Sequence, residues 1–600
     1  MIWYPQLPSI NNSLSWLTWT EAFSPFSLPS FQPFYFYLTL TTCATLTFVS
    51  YYVVGLLQGK TSKTNHDYHR KTSLMSAFGA ERDLLEGTGM KQNVINAILF
   101  FSNQTDNDIR GVDMRKDLIK MMRQLAHKYE RMSCIPRFEI VAKKVEKQCI
   151  WFPIQDLDAA VERAVLVDSS FNNGQVNEAV VLTRAHTYVC ELLTGQDEQG
   201  RDMPLWRAIL LSPNAVLIRI DHCICDGLSA VTLLKDIGCK RRQKTSSFLP
   251  LTLGDLSPIL RAIEVAGDFR IFTLPLKLLW LPNLVRAVSL TATCLTFPEE
   301  QPNPMRPHPG HIGKVIPREH YGTIFFPTMK VTLFREMARG AGKGTTINDI
   351  LLLCLSIAVG SYFDELKVDS DIGNIHLVLP IANPLCPSTY GDKVNGLCNR
   401  MTPVIFPLNL PRRTETSKES EQELCHYSEM LLTIKAFMTR VKKSNATLFL
   451  TCMNTILSPL LSLEKVAKEG GKMFKKNASI VYSNVPGPVE EICLCPSRPG
   501  PSADNFETAR HYTIQKIQTL MPHPVSIFQV LSYNGNMFFN ILLDTRSAEK
   551  PWLLRTEFVR AVREVADWTG ASKSDEWKHL LDSYETSNEW GGKNVVYRCG

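Results

Sequence analysis

No Cys-x-x-Cys pair occurs anywhere in this chain, although it carries 16 cysteines. The two close pairs, Cys223/Cys225 and Cys493/Cys495, are each separated by one residue. Neither is joined by a second pair or by histidines at zinc-ligand spacing, so a metal site has no support in the sequence. Cysteines scattered over 600 residues do not make a disulfide framework and read as reduced, cytosol-facing thiols. A nucleic-acid signature is also lacking. The net charge is only +7, the basic residues are dispersed, and no zinc finger or basic helix accompanies them. A hydrophobic share of 44% against 20% charged residues excludes a disordered chain. No internal repeat is visible. Lys and Arg are absent before residue 60, and Glu21 is the one charged side chain in that stretch.

That charge-poor beginning contains the first positive signal. Residues 34–57 form a run of 24 without a charged side chain, and about 20 suffice to cross a bilayer core. A cleaved signal peptide is the competing reading, but it would begin with a basic region and have a shorter apolar core. Lys60, Lys63, Arg70 and Lys71 follow the run. Positive-inside bias therefore puts everything after it in the cytosol. The expected organisation is an N-terminal segment 1–72 with a transmembrane helix at about 34–57, a first lobe at 73–235, a connection at 236–325, a second lobe at 326–590 and a polar tail at 591–600. Within the connection, 274–295 is apolar but broken by Pro275, Lys277, Pro282 and Arg286. It reads either as an amphipathic segment on the bilayer or as a core helix pair.

From 73 to 150 the pattern reads as mostly helical, with apolar and basic stripes over 117–125. Pro204-Leu205-Trp206 leads into a strand at 208–211, and a short turn then gives a second strand. That second strand, from Val216, ends at Asp221-His222, followed by Cys223-Ile224-Cys225-Asp226-Gly227 and a helix-spaced run from Leu228. A histidine at a strand end, with a carboxylate and a glycine just after it, is a candidate general base. In the second lobe, Thr345-Thr346-Ile347-Asn348-Asp349 opens a helix, with Thr346 or Asn348 as the cap. Strands are expected at 374–381, 401–410 and 479–483, the last stopping at a turn over Asn484-Val485-Pro486-Gly487-Pro488. Residues 447–463 are apolar, interrupted by Asn454 and Pro459. Asn534-Gly535 marks a two-residue hairpin, and 552–567 reads as a helix.

Together these motifs resemble the wax ester synthase/diacylglycerol acyltransferase (WS/DGAT) family of CoA-dependent acyltransferases. The signature of that larger group, His-His-x-x-x-Asp-Gly, corresponds to Asp221-His222-Cys223-Ile224-Cys225-Asp226-Gly227. Pro204-Leu205-Trp206 looks like the family's Pro-Leu-Trp segment, and Thr346-Ile347-Asn348-Asp349 like its Asn-Asp motif. Leu397-Cys398-Asn399-Arg400 resembles its Gly-Asn-Arg stretch, and Ser483-Asn484-Val485-Pro486-Gly487-Pro488 matches its Ser-Asn-Val-Pro-Gly-Pro. Ser532-Tyr533-Asn534-Gly535 with Asp544 matches its final hairpin. The likeness spans roughly 130 to 570 and leaves the segment before 72 outside it.

The resemblance implies an α/β, two-lobed, chloramphenicol acetyltransferase-like fold behind the N-terminal transmembrane helix. It implies transfer of a long-chain acyl group from acyl-CoA, a co-substrate with no bound cofactor or metal, to a fatty alcohol or diacylglycerol. His222 would be the base, and Asp226, the other signature residue of the catalytic motif, would brace its loop. Gly227 would give the turn and leave space for substrate. Asn348, with Asp349 beside it, is a candidate oxyanion donor or a plain helix cap. Trp206, Asn399, Arg400, Asn484, Pro486 and Gly487 are candidates for the tunnel wall, with packing the competing role for Trp206 and a turn for 484–488. A nucleophilic role for Cys223 or Cys225 is not needed. Asp221 is the departure: it stands where the family has its first histidine, and is expected to position His222 or raise its pKa. The partners implied are acyl-CoA, the lipid acceptor and the bilayer, at the endoplasmic reticulum or another membrane, with the lobes cytosolic. The competing functions are a catalytically silent lipid-binding or tethering protein, and an acyltransferase for a small alcohol or an amine.

Overall fold

The computed structural model describes residues 93–102, 111–140, 147–171, 176–189, 191–240, 299–306, 320–369, 371–382, 397, 399, 401–411, 420–443, 478–494, 512–573, 575–586 and 596–598. All lie in the compact unit 64–600. The expected transmembrane run at 34–57 and the apolar stretches 274–295 and 447–463 fall outside the described residues.

The first part of the chain runs β1 (Val94–Phe101), α1 (Gly111–Lys128), β2 (Cys134–Ile140), β3 (Lys147–Pro153), α2 (Leu157–Ala164), β4 (Val165–Val167), α3 (Glu178–Val189), β5 (Trp206–Ser212), β6 (Ala215–Asp221), α4 (Gly227–Ile237) and β7 (Gly238–Lys240). The stretch read as mostly helical therefore contains three strands. In β1 the sequence VINAILFF is apolar on both faces because both are buried. Leu99 and Phe101 enter one core, Ile98 and Phe100 another. Such a two-faced strand loses the alternation that would have identified it.

The second part runs β8 (Tyr321–Phe325), β9 (Met329–Lys330), α5 (Val331–Gly340), α6 (Ile347–Glu365), β10 (Asn374–Ala382), β11 (Met401–Asn409), α7 (Ser420–Lys443), β12 (Ile480–Pro486), β13 (Ile492–Leu494), β14 (Tyr512–Leu520), β15 (Ser526–Tyr533), β16 (Asn536–Asp544), α8 (Trp552–Thr569), α9 (Asp575–Thr586) and β17 (Val596–Arg598). Thr346 caps α6 in a reciprocal box with Asp349. Helix α6 is long and apolar enough to cross a membrane, but most of it is buried inside the protein. Asn534 and Gly535 take positive φ of 48° and 71°, the twist a two-residue hairpin between β15 and β16 requires.

Two sheets carry the architecture. One has the order β4-β5-β6-β1-β14-β13-β7, the other β11-β10-β12-β15-β16-β8-β17, with β9 on β16. The sheets do not follow the division at 325/326. Strands β13 and β14 come from the second stretch yet complete the first sheet, β14 pairing with β1. Strand β8, from the connection, and β17, from the polar tail, pair in the second sheet. Helices α1, α2 and α4 cover the first sheet's outer face through Met114, Leu118, Val161 and Leu233. Helices α5 to α9 contribute to the core on the second sheet's outer face. Between the sheets, Ile98, Ile209, Leu217 and Leu520 meet Phe325, Val378, Ile405 and Ile527 in a shared core. This is a mixed α/β molecule of two sheet-bearing lobes.

Candidate functional site

The hairpin β5–β6 delivers His222 to the end of the first sheet. Val216 to Ile220 pair with β5 on one side and β1 on the other, so the strand cannot slide. The His222 N–H donates to the Asn93 carbonyl at 2.7 Å and the Asp221 N–H to the Leu205 carbonyl at 2.9 Å. The Asp221 carboxylate accepts the Cys223 N–H at 2.8 Å. Asp226 caps α4 by accepting the Ser229 N–H at 2.9 Å. Both carboxylates thus fold the loop that presents the imidazole. Cys223 and Cys225 point into the first lobe's core.

His222 is buried, and burial pushes its pKa below the ordinary imidazole value. Asp226 opposes this most, then a hydrogen bond with Asn399, then Asp221. Asp221 therefore acts in the direction expected of it, but burial outweighs it and His222 is neutral at pH 7.

The second lobe closes on this loop at two places. Asn399, just before β11, donates its Nδ2 hydrogen to the His222 carbonyl oxygen. At the end of β12, Val485 lies against Gly227, where an added Cβ would sit 3.0 Å from Val485 Cγ2. Strand β12 runs three residues beyond its expected stop, because Asn484, Val485 and Pro486 pair in parallel with Val530, Leu531 and Ser532 of β15. Next to Val485, the Asn484 amide donates to Asn348 Oδ1 at 3.1 Å, and the Tyr482 hydroxyl donates to the same oxygen at 3.0 Å. The Asn348 amide nitrogen donates to no described residue. Gly487 is a glycine of necessity: a Cβ there would collide with the Ser532 carbonyl oxygen.

Other expected residues lie elsewhere. Trp206 is fully buried in the first lobe's core and donates its indole N–H to the Met132 carbonyl at 2.9 Å. It packs among core residues. Asp349 serves the cap of α6, accepting from the Thr346 N–H and hydroxyl. Arg400 is outside the described residues. One neighbour was missed: His523, buried before β15, whose pKa falls to about 4 through burial, with the charge of His222 adding to the fall. Its signal, a histidine between Pro522 and Pro524, has no spacing rule behind it.

The family model for the WS/DGAT C-terminal domain matches residues 398–498. The match covers part of the second lobe. The matched segment includes Asn399, which holds the His222 carbonyl, and the β12 end that packs on Gly227. A comparison with curated protein sequences gives no match. Among solved structures, the chain is similar to the wax ester synthase/diacylglycerol acyltransferase from Marinobacter aquaeolei VT8, at 14% identity and TM-score 0.43, covering 82% of this chain and 98% of that one. It is also similar to TRI3 trichothecene 15-O-acetyltransferase from Fusarium sporotrichioides, at 11% identity and TM-score 0.47, covering 83% and 94%. A third is the starter condensation domain of rhizomide synthetase in complex with C8-CoA and Leu-SNAC, at 10% and TM-score 0.43, covering 83% and 92%. Likenesses this distant assign no activity.

Beside the matched segment, at the start of α6, lies a cavity of about 450 Å³. Arg335, Arg339 and Lys343 line it, with Thr345, Thr346 and Ile347. The turn that shapes it holds Gly342 and Gly344 at φ of 106° and 80°, where a side chain would be strained. Lys435 braces the turn, its Nζ donating to the Lys343 carbonyl at 3.2 Å and to Thr345 Oγ1 at 3.1 Å. Among the described residues the cavity's lining has three cations and no carboxylate.

Proposed function

We propose that the protein is a membrane-associated O-acyltransferase. It moves a long-chain acyl group from acyl-CoA to a fatty alcohol or diacylglycerol, forming wax ester or triacylglycerol. The observation that carries this reading is the contact between His222 and the segment matched by the WS/DGAT family model, through Asn399. In the proposed reaction the imidazole takes the hydroxyl proton as the alcohol oxygen attacks the thioester carbon. The C–S bond then breaks, and the proton passes to the departing thiolate of CoA. A neutral imidazole suits this role, and burial keeps His222 neutral. The Asn348 amide hydrogens are the candidate donors to the tetrahedral oxyanion. The cavity with Arg335, Arg339 and Lys343 fits the phosphates of CoA. The uncharged run at 34–57 supports attachment to a membrane, where both acceptors are dissolved; the endoplasmic reticulum is the proposed one.

Purified protein given palmitoyl-CoA and hexadecanol, or diacylglycerol, is expected to form ester. The His222→Ala variant is expected to lose at least about 100-fold in kcat. Ester formation by that variant at the unmodified rate would remove His222 as base. An acceptor series from ethanol to hexadecanol, with a matched amine, distinguishes a lipid acceptor from a small one. No turnover on any acceptor would favour the lipid-binding alternative.

A further inference from the structure

We propose that Asn399 is a positioning residue that sets the tautomer of His222. The inference rests on His222 as the base. Two buried polar atoms at the site have no partner among the described residues: His222 Nδ1 and Asn399 Oδ1. They belong to residues already tied together, since the other end of the same amide, Nδ2, donates to the His222 main-chain carbonyl. Leaving both unpaired would cost the desolvation of each with no hydrogen bond to offset it. In the proposed arrangement Nδ1–H donates to Oδ1, giving each of the two atoms its partner. The lowered ring pKa is opposed by a hydrogen bond with this same side chain, as an acceptor facing the ring would do.

The consequence for chemistry is specific. An imidazole has one proton to place when neutral, and a base must keep its lone pair on the nitrogen that faces the alcohol. With the proton held on Nδ1 by Asn399, Nε2 is left as the proton acceptor. The amide does this without a charge. A carboxylate there would also stabilise the imidazolium and raise the pKa of the base. Asn399 is anchored on both sides along the chain. Leu397, two residues earlier, is buried in the first lobe's core, and β11 begins two residues later. The competing acceptor for the Nδ1 proton is the His222 carbonyl itself, which Asn399 already occupies in part.

Selective 15N labelling of histidine tests the tautomer without any turnover, with the His222 signals assigned by their loss in His222→Ala. In the unmodified full-length protein at pH 8, the His222 ring shifts are expected to show the proton on Nδ1. In Asn399→Ala they are expected to move toward the other tautomer or a mixture. In parallel, kcat should fall about 100-fold, with KM for acyl-CoA and for alcohol within about twofold. Asn399→Asp keeps the shape and serves if the alanine variant does not fold; its ring is expected to keep the Nδ1 proton and to titrate at higher pH. A proton on Nε2 in the unmodified protein overturns the proposal. So do ring shifts in Asn399→Ala identical to the unmodified protein's, or a loss confined to KM. If the unmodified protein turns over no acceptor, the function reading fails, while the ring spectra still decide the role of Asn399.

Discussion

Burial acts on two ionisable side chains of this molecule with opposite results. On His222 it disfavours the imidazolium, so the unfolded chain takes a proton that the folded one refuses, and stability drains away as pH falls below about 6.5. On Glu300 it disfavours the carboxylate. Burial lifts that pKa to about 7, against hydrogen bonds to Oε1 from the Ser479 hydroxyl and the His376 N–H, each at 2.7 Å. Its other oxygen has no partner among the described residues. The folded pKa lies above the unfolded one, so this stability is fully present below about 4.5 and is lost as pH rises through 7. By pH 8 the loss is about 3 kcal/mol, an order-of-magnitude figure. Glu300→Gln keeps an acceptor for both donors and cannot ionise. Its melting temperature is expected to match that of the unmodified protein at pH 4 and to exceed it at pH 8. Equal melting temperatures at pH 8 would refute the charge argument.

Elements meet closely where α4 starts against the end of β12. Gly227 leaves 3.0 Å between an imagined Cβ and Val485 Cγ2, tight enough that a real methyl group pushes the valine or the loop carrying His222. Overpacking of this kind costs about 1–3 kcal/mol. Gly227→Ala is therefore expected to lower kcat/KM about tenfold, and Val485→Ala in that background to recover most of it, a coupling expected only of residues in contact. Independent losses from the two changes would separate them. The strand, loop and helix around His222 were legible beforehand because their signals are local: a β-branched run, an Asp-Gly pair after the histidine, a helix-spaced apolar stripe. The Thr346 cap and the Asn534-Gly535 hairpin were legible for the same reason. Strand β1 was not, since burial of both faces erased its alternation. The role of Asn399 was also hidden. It depends on a contact with a residue 177 positions away, and the residues beside Asn399 record nothing of that distance. For Trp206 the two roles could not be separated beforehand, because a Pro-Leu-Trp segment reads alike whether it lines a tunnel or fills a core.

Across the whole molecule, the first sheet takes strands from both ends of the chain, the two sheets share a core, and the basic cavity and the His222 loop are joined by a short chain of residues. Ile347 lines the cavity, Asn348 follows it and accepts from Asn484, and Val485 rests on Gly227. If the cavity holds the phosphates of CoA, Arg335→Ala with Arg339→Ala is expected to raise KM for acyl-CoA about tenfold or more. KM for the alcohol should be unchanged, and the unmodified enzyme's KM for acyl-CoA should rise with salt. An equal rise for both substrates would assign the cations to folding instead. The distant origin of the first sheet's strands has a consequence before the protein is finished. Asn96 and Leu520, neighbours across the first sheet, are 424 residues apart in the chain. At about 5–20 residues synthesised per second, β1 leaves the ribosome roughly 20–85 seconds before β14 exists to cover it. Through that interval an apolar strand has one open side, a template for any other nascent chain nearby. The period of greatest aggregation risk is therefore set by where β14 is encoded along the message, and extra stability in the completed fold would not shorten it.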